Sequence, residues 1–147
     1  MFSEDRPVNC QPEFEFVDAA GPRSLSSDDI EAALPSSVAA YIRATNAGDL
    51  DALLATFVDD ALVNDQLQDY WGKAAIAAWA ARDIVGERMT LKVVNTVQHY
   101  GHSIVTAHVD GQFDKRGLPD PLVLAFYFSS HDEKIVQLII LRNQSGT

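Results

Sequence analysis

The apolar spacing of this chain changes once, and that change dictates its fold class. Up to residue 84 apolar residues recur at helical intervals; from residue 89 onward they alternate. Helices first and long alternating segments second make an α+β fold, not a series of interleaved βαβ units. Val38, Tyr41, Ile42 and Thr45 share one helical face, with Pro35 suited to a first helical position and Ser36 and Ser37 as nearby caps. Asn46-Ala47-Gly48-Asp49 breaks that helix: Gly48 suits a left-handed cap and Asp49 caps the next helix. Leu50, Leu53, Leu54 and Phe57 repeat the helical spacing, Asp59-Asp60 is a stop and turn, and residues 61–65 read as a short strand. After Gly72, the alanine-rich residues 73–84 offer Ile76, Trp79, Ala80 and Ile84 as a buried stripe. Four strands are then expected, over 90–99, 102–114, 121–129 and 134–142. Turn signals separate them at Tyr100-Gly101-His102, at 115–120 and at His131-Asp132-Glu133.

The second of these strands assigns its faces most clearly. Val105, Ala107, Val109, Gly111 and Phe113 lie on the side that should meet the helices; Ile104, Thr106, His108, Asp110 and Gln112 lie on the other. The last strand is apolar on both sides, through Ile135, Val136, Leu138, Ile139, Ile140 and Leu141. Its outer side needs a cover, and a homodimer through the outer sheet face is the expected one.

With 147 residues, roughly two-thirds of the extended surface can be buried, enough for one core. The net charge of −10 is uneven: residues 1–35 hold eight acids and two bases. The first 34 residues read as an acidic arm, with a possible strand over Glu13–Val17 and a short helix capped near Ser27-Asp28-Asp29. The folded domain should span residues 35–143, leaving a tail of residues 144–147. No basic stripe exists, so neither nucleic acid nor an anionic membrane surface is an expected partner. No apolar run approaches a membrane span, and the opening residues carry no signal-peptide pattern. A single cysteine, Cys10, cannot form an internal disulfide. A cytoplasmic protein is expected.

The stretch YIRATNAGDLDALLATFVDDALVND (residues 41–65) followed by WGKAAIAAW (71–79) resembles the nuclear transport factor 2-like superfamily. Its SnoaL-like polyketide cyclases and ketosteroid isomerases are nearest in pattern. The resemblance covers about residues 34–143. It implies a cone in which a strongly curved antiparallel sheet wraps three N-terminal helices around an apolar pocket. It also implies roles for individual residues. Asp65 holds the place of the isomerases' base aspartate, and Tyr41 that of the tyrosine that donates to the developing oxyanion. The isomerases' second donor, a protonated aspartate, falls where this chain reads Leu124-Ala125, and their supporting tyrosine falls at Ala80.

The chemistry is sound for those residue types. A carboxylate on the wall of an apolar pocket is desolvated, which raises its pKa toward the working range of a general base. A phenol can donate to a carbonyl oxygen and stabilise the enolate that forms, an effect worth roughly 3 kcal/mol; ketosteroid isomerase is itself a worked case of this pKa logic. The expected reaction is cofactor-independent proton abstraction next to a carbonyl, leading to isomerisation, cyclisation or dehydration of a small apolar carbonyl compound. Tyr70, Trp71 and Trp79 would line the pocket with Val105, Phe113, Leu124 and Phe126, and Arg142 would sit at its end. His99, His102, His108 and His131 fit no metal-ligand pattern, so no metal is expected. No dinucleotide or P-loop motif and no Gly-x-Ser-x-Gly motif occurs. The rival reading is a non-catalytic small-ligand-binding or dimerisation module on the same fold.

Overall fold

Gly48 does what its place demands: it takes the left-handed conformation (φ 68°) and its N–H closes the first helix on Ala44 and Thr45. The computed structural model describes residues 34–142. The expected arm strand and helix, Cys10 and the tail lie outside these. Helix α1 spans Ser36–Ala47 behind Pro35 at its N-cap. Asp49 then accepts from Ala52 N at 3.1 Å and starts the five-residue α2, Leu50–Leu54.

The second helix is shorter than its apolar spacing implies. Phe57 opens strand β1, Phe57–Asp65, which is longer than the segment expected over 61–65. Phe57 meets the core from a strand rather than a helix, because burial and not local period sets its place. A two-residue turn at Gln66 and Leu67, both at positive φ, leads into β2, Gln68–Trp71. That strand was not legible: the turn lacks the Asn-Gly or Gly chemistry that usually marks one. Gly72 at φ 82° releases the chain into α3, Gly72–Trp79, which continues as a π-helical segment, Ala80–Val85. The strands β3 (Thr90–His99), β4 (His102–Asp110), β5 (Leu122–His131) and β6 (Lys134–Arg142) complete the domain.

One six-stranded sheet results, in the order β2-β1-β6-β5-β4-β3. Every pair is antiparallel except β1 with β6, which run parallel. Register breaks in β1, β3 and the β5–β6 pair bend the sheet around the helices. The concave face carries Val63, Val105, Phe126, Phe128, Leu138 and Ile140, packed against Val38, Tyr41, Ile76 and Trp79. No helix among the described residues is long and apolar enough to cross a membrane.

β4 ends at Asp110, short of the expected residue 114. Gln112 N bonds Glu87 O at 2.6 Å and turns the chain off the sheet. A Cβ on Gly111 would stand 2.9 Å from Glu87 O and 3.0 Å from the Phe113 ring, so only glycine permits this approach. Phe113 therefore packs on the core from a loop.

Candidate functional site

Register, not sequence proximity, assembles the site. Asp65 pairs with Ile140, Ile140 with Phe126, Phe126 with Val105, and Val105 with Thr96. This transverse row lies on the concave face, where Ile140, Phe126 and Val105 are buried. Leu124 and Arg142 pair in the next row; Leu124 is buried and Arg142 is exposed at the end of β6.

The Asp65 carboxylate is half-buried and accepts a hydrogen bond from Trp79 Nε1 at 3.0 Å. Burial pushes its pKa above the usual value. The Trp79 and Gln66 side chains, which bond the charged form, pull the other way; Asp83 adds to the rise and Arg82 opposes it. Trp79 is fully buried, and the Tyr70 ring lies against it at 6.0 Å and 31°. Arg82 in turn donates to Tyr70 Oη at 3.1 Å and pairs with Asp83 at 2.9 Å.

Tyr41 is fully buried on α1, edge-on to Phe57 (6.0 Å) and Phe128 (5.2 Å). Neither its hydroxyl nor that of Thr45 makes a hydrogen bond within 3.5 Å in good geometry among the described residues, but the two lie close enough to interact with each other. Burial raises the phenol's pKa well above its ordinary value, the Asp65 carboxylate raises it further, and the Thr45 hydroxyl opposes the shift. Tyr41 thus stays a proton donor at any working pH and lies within electrostatic reach of Asp65.

Two cavities open among the described residues, and neither is lined by Asp65 or Tyr41. The larger, about 760 Å³, lies beneath the loop after β4, with Leu91, Val109, Phe113 and Leu122 on its walls and Lys92, His108 and Asp120 at its polar parts. The smaller, about 370 Å³, borders Thr45, Asn46, Val85, Arg88 and Met89. Asn46 and Thr90 line both. Asn46 clamps the end of α1 to the start of β3: its amide accepts from Leu91 N at 2.6 Å and donates to Leu91 O at 3.0 Å.

Of the residues expected to form the site, Tyr41, Trp79, Val105, Leu124 and Phe126 belong to one packed core cluster, with Tyr70 against it and Asp65 bonded to Trp79; none of them lines either cavity. Phe113 lines the larger cavity instead. Trp71 does not join them: it pairs with Leu62, strand alternation turns it to the side opposite Tyr70, and it is 67% exposed. Sequence reasoning missed Gln66, Arg82 and Thr45 as neighbours of the cluster. Only Thr45 carried a signal, a hydroxyl four residues after Tyr41 on an apolar stripe. Among the described residues no three His, Cys, Asp or Glu side chains gather at metal-ligand spacing.

The model of the SnoaL-like domain family matches residues 38–138. Among solved structures, the chain resembles a candidate polyketide cyclase from Sinorhizobium meliloti, at 29% identity and a TM-score of 0.68 over 76% of this chain and 98% of that one. A Catenulispora acidiphila protein with a ketosteroid isomerase-like fold, in complex with trimethylamine, matches at 21% identity and TM-score 0.62 over 76% and 88%. The Δ5-3-ketosteroid isomerase of a Mycobacterium species matches at 20% identity and TM-score 0.59 over 73% and 90%. No functionally curated protein matches the chain in sequence.

Proposed function

This chain belongs to the SnoaL-like domain family, and from that premise we propose that it is a cofactor-independent enzyme that removes a proton next to a carbonyl group. Asp65 is the base and Tyr41 the donor to the carbonyl oxygen. One observation carries the reading: a half-buried carboxylate, held by Trp79 Nε1 at 3.0 Å, lies within electrostatic reach of the fully buried Tyr41 phenol. A desolvated carboxylate near a buried phenol is the pairing that proton abstraction next to a carbonyl calls for.

In the reaction, the α C–H electron pair moves toward the carbonyl and the proton passes to Asp65. Charge gathers on the oxygen that Tyr41 meets. Return of the proton at a second carbon isomerises the substrate; attack by the enolate on an internal electrophile cyclises it. The Trp79 N–H fixes Asp65 through Oδ2, and the Gln66 side chain also favours its charged form. Val105, Leu124 and Phe126 supply apolar surface for a small carbonyl compound. Tyr70 backs Trp79, and Phe113 extends the apolar lining toward the larger cavity.

Proton–deuterium exchange tests this before any substrate is named. A panel of apolar ketones in D₂O should exchange α-protons faster with the protein than without it. Asp65→Asn should abolish the acceleration, consistent with the roughly 10²–10⁴-fold contribution of a positioned base. Exchange that survives in Asp65→Asn rejects the role.

A second reading, a ligand-binding module, is favoured by the way Trp79 fills the interior beside Asp65. In that case ketones bind without exchange. In either reading we infer a homodimer through the outer sheet face. The transverse row Asn64, Ile139, Tyr127, Ile104 and Val97 supports it, with Tyr127 39% and Val97 47% exposed. A single cysteine in the whole sequence fits a cytoplasmic setting.

A further inference from the structure

The larger cavity, about 760 Å³, stands apart from the Asp65 chemistry, since neither Asp65 nor Tyr41 lines it. Consecutive residues of two strands bound it, Thr90 to Lys92 on β3 and His108 to Asp110 on β4, so both sides of the pleat contribute. One side is apolar. Register sets Leu91 beside Val109 and Val109 beside Leu122, and Phe113 joins this row from the loop after β4. The other side is basic. Lys92 and His108 are direct cross-strand partners, which puts their Cβ atoms about 5 Å apart. Neither side chain makes a hydrogen bond or ion pair among the described residues. The acid two residues on, Asp110, is already engaged: it accepts from Lys115 Nζ at 2.6 Å and from Gly111 N at 2.8 Å. Lys115 Nζ also lies 5.8 Å from the centre of the Phe113 ring, and Gln112 N is tied to Glu87 O, so the loop over the cavity is pinned at its root. The volume falls within the roughly 300–1,000 Å³ of small-molecule sites.

We propose that this cavity is a second small-molecule site, separate from Asp65, and that it takes an apolar monocarboxylate. The hydrocarbon body packs on Phe113 and the row of Leu91, Val109 and Leu122. The carboxylate meets Lys92 Nζ and the His108 imidazole, which are close enough to share it. An ammonium and a ring N–H are the donors a carboxylate calls for, and such charge-assisted bonds are about twice as strong as neutral ones. Asp120 also borders the cavity; its charge repels a second carboxylate, so a dicarboxylate is disfavoured. The site owes nothing to the Asp65–Tyr41 reading and stands or falls without it.

4-Phenylbutyrate and its neutral amide, 4-phenylbutyramide, test the site by calorimetric titration and by ¹H–¹⁵N spectra. Wild type should bind the acid about tenfold more tightly than the amide. Lys92→Met keeps the length of an exposed side chain and removes its charge. It should abolish the preference for the acid and leave binding of the amide as it was, whereas Lys92→Arg should keep both. Backbone shifts on binding should fall on residues 90–92, 108–113 and 122, with the Trp79 indole N–H, which reports on Asp65, unmoved. Acid and amide binding alike, or a preference for the acid that survives Lys92→Met, overturns the carboxylate site. A moving Trp79 indole with no shift at Lys92 or His108 also overturns it, by placing the acid at Asp65. Wild type that binds no 4-phenylbutyrate at millimolar concentration overturns it and leaves the Asp65–Tyr41 reading standing.

Discussion

Opposed forces meet at Asp65. Burial favours the neutral acid, while the Trp79 and Gln66 side chains favour the anion, and burial prevails. Stability therefore depends on pH. A carboxyl whose pKa is higher in the folded than in the unfolded state contributes stability in full below its unfolded value, near 3.8, and loses it as pH rises through the folded value. Asp65→Asn removes that loss and keeps an acceptor for Trp79. Its melting temperature relative to wild type should climb with pH across that window and then level off. A difference that stays constant with pH contradicts a raised Asp65. The carboxylate and phenol were legible as chemistry because their types and order match a known pattern. Gln66 was not, because its influence on the carboxylate depends on the turn that ends β1.

The elements hold these residues by contacts that cross long stretches of sequence. Asn46 shows this most plainly. From the last turn of α1 its amide satisfies both backbone groups of Leu91 on the outermost strand, blunting a sheet edge and fixing the helix that carries Tyr41 and Thr45. Asn46→Ala strands a buried N–H and C=O, at a cost of about 1–3 kcal/mol. A fall of roughly 5–10 °C in melting temperature should result, read by circular dichroism. Unchanged melting would show that the clamp does not hold the helix to the strand. The sequence reading placed β3 and β6 at the bounds observed, helped by turn residues at Tyr100-Gly101 after the one and at Asp132-Glu133 before the other. It failed at Phe57, where a five-residue helix gives way to a strand with no local signal, and at β2, whose turn uses Gln66 and Leu67 in backbone conformations they seldom adopt.

At the scale of the whole molecule, the curved sheet has two apolar sides and the described helices cover one. The outer row through Ile139, Tyr127 and Ile104 runs across the middle of the sheet, where side chains from three strands adjoin. If two copies pair there, light scattering should give twice the mass of the 16.1 kDa chain, and Tyr127→Lys should halve it. A wild-type monomer refutes the pairing. The α+β class was readable in the sequence because the change of apolar period survives as pattern. The parallel β1–β6 pairing was not, because it joins segments some 75 residues apart. Yet that pairing is what sets Asp65 in line with Ile140, Phe126 and Val105.

The proposed chemistry depends on the ionisation of one carboxyl, and the most direct measurement is its titration. With ¹³C-labelled aspartate, the Asp65 signal, assigned by its loss in Asp65→Asn, should show a midpoint above 3.8 that rises further in Trp79→Phe, where the stabilising N–H is gone. A midpoint at or below 3.8, indifferent to Trp79, would make Asp65 an ordinary surface acid and contradict its role as the base.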